Sequence, residues 1–163
     1  MRFLLDTNVL LNDFFHRHPD FGFQRIQNPE QASQVEAYRL EVHEGLLLLS
    51  LQKGVEVWTS VSILARFGAL LGDLLVPTQL VLDEMEHWLS QLKLVELPSQ
   101  QLHEAIDAMK KAETKLDFDD YLLKNTCKSA GIEAVVTSLP KSKEFYWPVL
   151  VFKPEKLREL KFN

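Results

Sequence analysis

An acidic residue follows a short apolar run near the start of the chain. Asp6 comes directly after residues 3–5, which have the composition of a buried strand. A carboxylate in that place is costly unless it meets water, a hydrogen-bond donor or a metal ion. Asp just before a helical pattern also satisfies free backbone N–H groups, so capping is the simpler explanation when Asp6 is considered alone.

A second acidic group opens a later predicted helix and consists of Asp117, Asp119 and Asp120. The helix dipole favours acids at a helix start, yet three carboxylates within four positions repel one another unless a cation lies near. A divalent ion held by Asp6 and one of these acids would explain both features. Mg²⁺ and Mn²⁺ prefer carboxylate and water ligands, and they activate bound water and stabilise charge on a phosphate.

A third acidic group, Asp83, Glu84 and Glu86, lies in a predicted helix over residues 78–92. Considered alone, it is most simply the solvated face of an amphipathic helix.

Apolar runs with the length of strands alternate with helical patterns along the whole chain. Strands are predicted near residues 3–5, 55–59, 74–76, 94–97, 134–137 and 149–151. Helices are predicted between them, the longest at residues 30–53, and the polar stretch at residues 16–29 predicts a loop. This alternation predicts an α/β fold, a central parallel sheet flanked by helices on both faces. Ligands of such sheets bind at the carboxyl ends of strands, where Asp6 and Thr137 both stand.

Length and composition fit a single globular domain over residues 1–163, with 46% hydrophobic and 25% charged residues. The net charge of −5 excludes a basic field over the whole molecule for holding nucleic acid. The lone Cys127 excludes an intrachain disulfide and a Cys-rich zinc site. No apolar run is long enough to span a membrane, and we expect a cytoplasmic protein.

The order of these motifs resembles the PIN domain family, which includes the VapC toxins. Residues 3–10 are similar to the family's opening motif. Residues 75–85 resemble its second motif, a strand and a proline followed by a helix with an acid. Residues 120–127 resemble the helix that carries the third acid, and Gly131 and the strand ending at Thr137 follow in order. The resemblance covers nearly the whole chain.

PIN domains are metal-dependent nucleases that usually act on RNA through three or four acids. By position, the resemblance assigns Asp6, Glu84 and Asp120 as the first, second and third catalytic acids and metal ligands. It adds Asp119 and Asp117 as neighbouring ligands that assist.

Supporting roles beside the acids are assigned to Asn8, Thr137 and Ser138, which would orient ligands or water by hydrogen bonds. The family's fourth acid normally stands two residues after the threonine that ends the strand. Leu139 occupies that place, and Glu144 is the next acid along the chain. The resemblance therefore implies a site without its fourth acid.

The position of the second acid depends on the alignment. A competing alignment places it in the helix after Thr59, where Arg66 stands. Glu84 is preferred because a predicted strand and Pro77 precede its helix, as in the family. Residues 24–66 are longer than a minimal PIN domain needs, and they could cover the site or serve an interface.

The resemblance implies a Mg²⁺- or Mn²⁺-dependent endoribonuclease that holds its ion weakly. The alternative is a catalytically impaired PIN domain that acts as an RNA-binding or protein-interaction module. RNA, a second copy of the chain in a homodimer and an antitoxin-like protein are the implied partners.

Overall fold

Strands from distant parts of the chain form one sheet in the computed structural model, which describes residues 1–22, 28–96, 98–111, 118–138 and 149–159. The strands in these ranges are β1 (Arg2–Leu5), β2 (Glu56–Ser60), β3 (Lys93–Val95), β4 (Ala134–Val136) and β5 (Leu150–Phe152). The helices are α1 (Thr7–Arg17), α2 (Pro19–Gly22), α3 (Pro29–Leu51), α4 (Val61–Asp73), α5 (Thr78–Gln91), α6 (Ser99–Lys111), α7 (Phe118–Ser129) and a 3-10 helix (Pro154–Glu159).

The central strand of this sheet is β1. The strand order is β3-β2-β1-β4-β5, and every neighbouring pair is parallel. Phe3 pairs with Val57 on one side and with Ala134 on the other. Phe3, Leu4 and Leu5 are at most 1% exposed. A strand covered on both faces must be apolar throughout, which explains the unbroken run at residues 3–5.

The chain reverses its direction across the sheet beside β1. It runs from β1 to β2 and β3 on one side, then crosses to β4 and β5 on the other. Since crossovers between parallel strands are right-handed as a rule, this order assigns the helices of the first half to one face of the sheet and α6 and α7 to the opposite face. The predicted α/β fold is confirmed. Open sheets of this type bind ligands outside the carboxyl ends of the strands at such a reversal point, which here lies between β1 and β4.

Two predicted elements were wrong. Residues 74–76 do not form a strand, because Leu74 and Leu75 form a turn between α4 and α5 in which Leu75 has φ 60°. Leu75 is 88% exposed, so this apolar run lacks the burial that a central strand needs. The loop predicted after residue 16 is partly helical, because α1 extends to Arg17 and α2 follows. Arg17 lies in the last turn of α1, where a positive charge interacts favourably with the negative end of the helix dipole.

The long helix predicted near residues 30–53 is confirmed as α3. Asn28 caps it by accepting a hydrogen bond from the Glu30 backbone N–H at 2.9 Å, and Pro29 occupies the first turn.

No helix within the described ranges has both the length and the apolar composition that crossing a membrane requires.

Helix α3 lies very close to the 3-10 helix at Gly45. A Cβ atom there would be 2.9 Å from the Pro154 carbonyl oxygen and 3.3 Å from the Leu157 Cβ. We expect Gly45→Ala to destabilise the fold by about 1–3 kcal/mol, because a backbone carbonyl does not move aside easily. Gly72→Ala in α4 is the matched control, since its Cβ would meet nothing within 4 Å. Urea unfolding of both variants measures the difference, and equal midpoints would contradict the close packing.

Candidate functional site

Asp6 connects the central strand to the helix that follows it. Its backbone is extended, with φ −85° and ψ 160°, and its Oδ1 accepts a hydrogen bond from the Thr7 backbone N–H at 2.7 Å. The capping role considered from the sequence is therefore confirmed. The backbone N–H of Asp6 donates to the Val136 carbonyl at 3.1 Å, which continues the β1–β4 pairing. Asp6 thus stands at the reversal point of the sheet.

The second oxygen of Asp6 belongs to a small polar network. Oδ2 accepts hydrogen bonds from Asn8 Nδ2 at 2.7 Å and from Thr137 Oγ1 at 2.8 Å. Asn8 Oδ1 in turn accepts from the Ser138 backbone N–H at 2.7 Å. The structure thus places all three predicted supporting residues around Asp6, while their role toward a ligand stays a prediction. A carboxylate offers about four acceptor positions, so the three donors leave about one for another partner.

The course of α7 indicates the edge of the sheet toward which Asp120 lies. The far end of α7 is at the start of β1, where Arg2 Nη1 donates to the Ala130 carbonyl at 3.1 Å. Helix α7 has 12 residues, and at 1.5 Å per residue it spans about 18 Å toward the opposite, carboxyl edge. Asp120 is half-buried in the first turn of that helix.

A buried thiol, that of Cys127, lies on α7. Burial raises the pKa of Cys127 to about 12, and the negative charge of Asp6 contributes to this increase. Asp120 precedes Cys127 by seven positions, close to two helical turns, so both lie on one face of α7 about 10 Å apart. From the course of α7 we infer that Asp120, like Asp6, stands at the carboxyl edge of the sheet.

Glu84 points from α5 to the other end of α1. It is 5% exposed, and its two oxygens accept hydrogen bonds from Arg17 Nη1 at 2.7 Å and Nη2 at 2.6 Å. His18 Nε2 lies 3.0 Å from Oε1 of the same carboxylate. Arg17 Nε donates to Asp13 Oδ2 at 2.8 Å. One guanidinium thus joins two buried carboxylates, from α1 and from α5.

The pKa shifts of Glu84 and Arg17 both favour the charged form of each side chain. Burial would raise the pKa of Glu84, but the hydrogen bonds and charge of Arg17, with a contribution from His18, hold it below its ordinary value. Burial would lower the pKa of Arg17, but Glu84 and Asp13 outweigh that effect and raise it. The pair therefore ties α5 to α1 as an ionised contact.

Sequence reasoning missed this ion pair. Arg17 was predicted in a polar loop near Asp13, whereas it lies in α1 together with Asp13. Their spacing of four residues on a helix was the available signal for that half of the contact. The half that involves Glu84 spans 67 positions and has no local signature.

Among the described predicted acids, Asp6, Glu84 and Asp120 do not form one metal-binding cluster. Helix α1 has 11 residues, and it therefore separates Asp6 at its start from Arg17 at its end by about 16 Å. Across the described ranges, no three His, Cys, Asp or Glu side chains are arranged to hold a metal ion. The assignment of Asp6, Glu84 and Asp120 as metal ligands stays a prediction.

Several predicted positions lie outside the described residues: Asp117, Leu139 and Glu144. The backbone of Asp119 belongs to α7, and its side chain is not described.

The competing position for the second acid, Arg66, lies on α4. This helix follows β2 directly, and Ser60 caps it by accepting a hydrogen bond from the Ile63 backbone N–H at 3.2 Å. Arg66 is exposed. Because residues 74–76 form no strand, α5 follows α4 and not a strand, so the strand that favoured Glu84 as the second acid is absent.

Comparisons with known proteins connect this fold to solved structures. No family model and no curated protein sequence matches the chain. A crystal structure of VapBC2 from Rickettsia felis, bound to a DNA fragment from its promoter, aligns with a TM-score of 0.64 and 15% identity over 94% of this chain and 98% of that one. VapBC-1 from nontypeable Haemophilus influenzae aligns at 0.60 and 13% over 94% and 98%. FitAcB from Neisseria gonorrhoeae aligns at 0.51 and 17% over 93% and 97%.

Proposed function

This chain has the PIN-like fold of VapC proteins, and from that premise we propose that it is a metal-dependent endoribonuclease acting through Asp6 and Asp120. The observation that carries the proposal is the position of Asp6. Its carboxylate stands at the reversal point of a parallel sheet, held by Asn8 and Thr137. Asp120 lies in the first turn of α7, and we infer that this turn is at the same edge.

The oxygen donors at this edge fit a hard divalent ion. Mg²⁺ keeps several waters and is usually bound through one or two carboxylates together with substrate phosphates. Asp6 retains an acceptor position, and Asp120 supplies the second carboxylate. Few anionic ligands mean weak binding before RNA arrives. Such an ion, Mg²⁺ or Mn²⁺, would activate water and stabilise charge on the phosphate.

The surrounding residues hold the first acid in one orientation. Asn8 and Thr137 both donate to Oδ2 of Asp6, while the Thr7 backbone N–H fixes Oδ1. Carboxylate ligands in metal sites are commonly oriented by such hydrogen bonds. We place Glu84 outside the site, because both of its oxygens accept hydrogen bonds from Arg17.

The test is cleavage of a single-stranded RNA under defined metal conditions. We expect slow cleavage with Mn²⁺ or Mg²⁺ and none in EDTA. Asp120→Asn should lower the rate at least about tenfold, the effect expected for weakened metal binding. Glu86→Gln removes an exposed acid from α5 and is the charge-matched control, with an unchanged rate.

A parent protein that neither cleaves RNA nor binds Mn²⁺ in isothermal titration would contradict the nuclease. That result would favour the alternative, an impaired PIN domain acting as an RNA-binding or protein-interaction module.

Association with another chain is part of the proposal. Helix α3 exposes four leucines: Leu40 by 42%, Leu47 by 50%, Leu48 by 41% and Leu51 by 80%. By their spacing, Leu40, Leu47 and Leu51 lie within one stripe of the helix. Contiguous exposed apolar surface is typical of protein interfaces. A homodimer and an antitoxin-like partner both stay predictions, and two of the similar solved structures are VapBC structures.

A further inference from the structure

A tyrosine from the long helix α3 reaches the network around Asp6. Tyr38 Oη donates a hydrogen bond to Ser138 Oγ at 2.5 Å. The Ser138 backbone N–H donates to Asn8 Oδ1 at 2.7 Å, and Asn8 Nδ2 donates to Asp6 Oδ2 at 2.7 Å. Tyr38 is therefore connected to the Asp6 carboxylate through two intervening residues.

The helix that carries Tyr38 is held on two sides. His43 Nδ1 lies 2.8 Å from Asp13 Oδ1, which fixes α3 against α1. The close approach at Gly45 fixes α3 against the 3-10 helix. Tyr38 itself is half-buried and packs against the main core. A phenol on a helix anchored in this way has a defined direction, which a positioning group requires.

We propose that Tyr38 is a positioning residue for Asp6 that acts through Ser138 and Asn8. Helix α3 thereby becomes part of the acidic site. Ser138 joins the two contacts covalently, through its hydroxyl to Tyr38 and through its backbone N–H to Asn8, so loss of the first contact leaves the second less firmly held. The catalytic consequence rests on the proposed nuclease function, whereas the hydrogen-bond chain is a property of the metal-free protein.

The first arm of the test uses no metal and no RNA. Hydrogen exchange of the Ser138 backbone N–H and the Asn8 side-chain amide is measured by NMR in the parent, Tyr38→Phe, Ser138→Ala and the double variant. Tyr38→Phe keeps the ring and removes the donor. We expect exchange to accelerate about fivefold, as loss of one hydrogen bond of typical net strength predicts.

The pattern among these variants decides the proposal. The double variant should exchange no faster than the single variants, because both remove the same contact. Ser50→Ala is the matched control, since it removes a hydroxyl of α3 that donates to the Leu47 carbonyl at 2.8 Å. It should leave both exchange rates unchanged. Additive effects, or no change in Tyr38→Phe, would overturn the proposal.

The second arm measures RNA cleavage with Mn²⁺ by the same variants. A positioning role predicts that Tyr38→Phe lowers kcat about tenfold with little change in KM. Coupled exchange together with an unchanged kcat would refute the positioning role. A parent that does not cleave RNA would instead refute the nuclease, and the exchange data would still show whether Tyr38 orients Asn8.

Discussion

We expect Asp6→Asn to lower metal-dependent RNA cleavage by at least about 100-fold, because loss of groups that only support metal ligands already costs 10–100-fold. The change keeps the shape of the side chain and deletes its negative charge. In the parent protein, Asn8 Nδ2 and Thr137 Oγ1 both donate to the Asp6 carboxylate. In the variant, these two donors face an uncharged amide group. Initial cleavage rates and isothermal titration with Mn²⁺ measure both losses.

Two controls separate loss of the site from loss of the fold or of charge in general. Asn is an effective helix cap, so Asp6→Asn should retain α1, and circular dichroism checks that it does. Asp83→Asn removes an exposed acid that accepts a hydrogen bond from Gln79 Nε2 at 2.8 Å. This control should cleave at the parent rate. Undiminished cleavage by Asp6→Asn would show that the activity comes from another site.

We expect Glu84→Gln to destabilise the fold by about 3 kcal/mol, the lower end of what removing one partner of a buried ion pair costs. The side chain of Glu84 is 6% exposed and that of Arg17 is 24% exposed. Arg17 keeps its contact with Asp13, which limits the loss. Urea unfolding measures the effect, and Glu86→Gln on the same helix is the exposed control. A loss equal to that of the control would contradict a structural role for the pair.

The same variant should change how stability depends on pH. The pKa of Glu84 is below its ordinary value of 4.5 in the folded protein. Its contribution is therefore fully present above pH 4.5 and is lost as the pH falls through the lower, folded pKa. The difference between the parent and Glu84→Gln should stay constant above about pH 5 and shrink below it. Mn²⁺ binding by folded Glu84→Gln should match the parent, because we place Glu84 outside the site.

Local composition was sufficient to predict the elements that carry the first acid. Residues 3–5 are apolar without interruption because β1 is covered on both faces, and Asp6 follows as a helix cap. The alternation of apolar runs and helical patterns predicted a parallel sheet. In such a sheet the carboxyl ends of strands meet at one edge, so the nearness of Asp6 and Thr137 followed from sequence order.

The tertiary structure alone decided which element each polar side chain meets. Tyr38 contacts Ser138 across 100 positions, and Glu84 contacts Arg17 across 67. The apolar run at Leu74 and Leu75 resembles a strand but forms an exposed turn. Periodicity indicates which face of an element is buried, but it carries no information about the element packed against that face. Contacts between elements depend on packing of the whole chain, and for that reason the partners of Glu84 and Tyr38 were visible only in the folded structure.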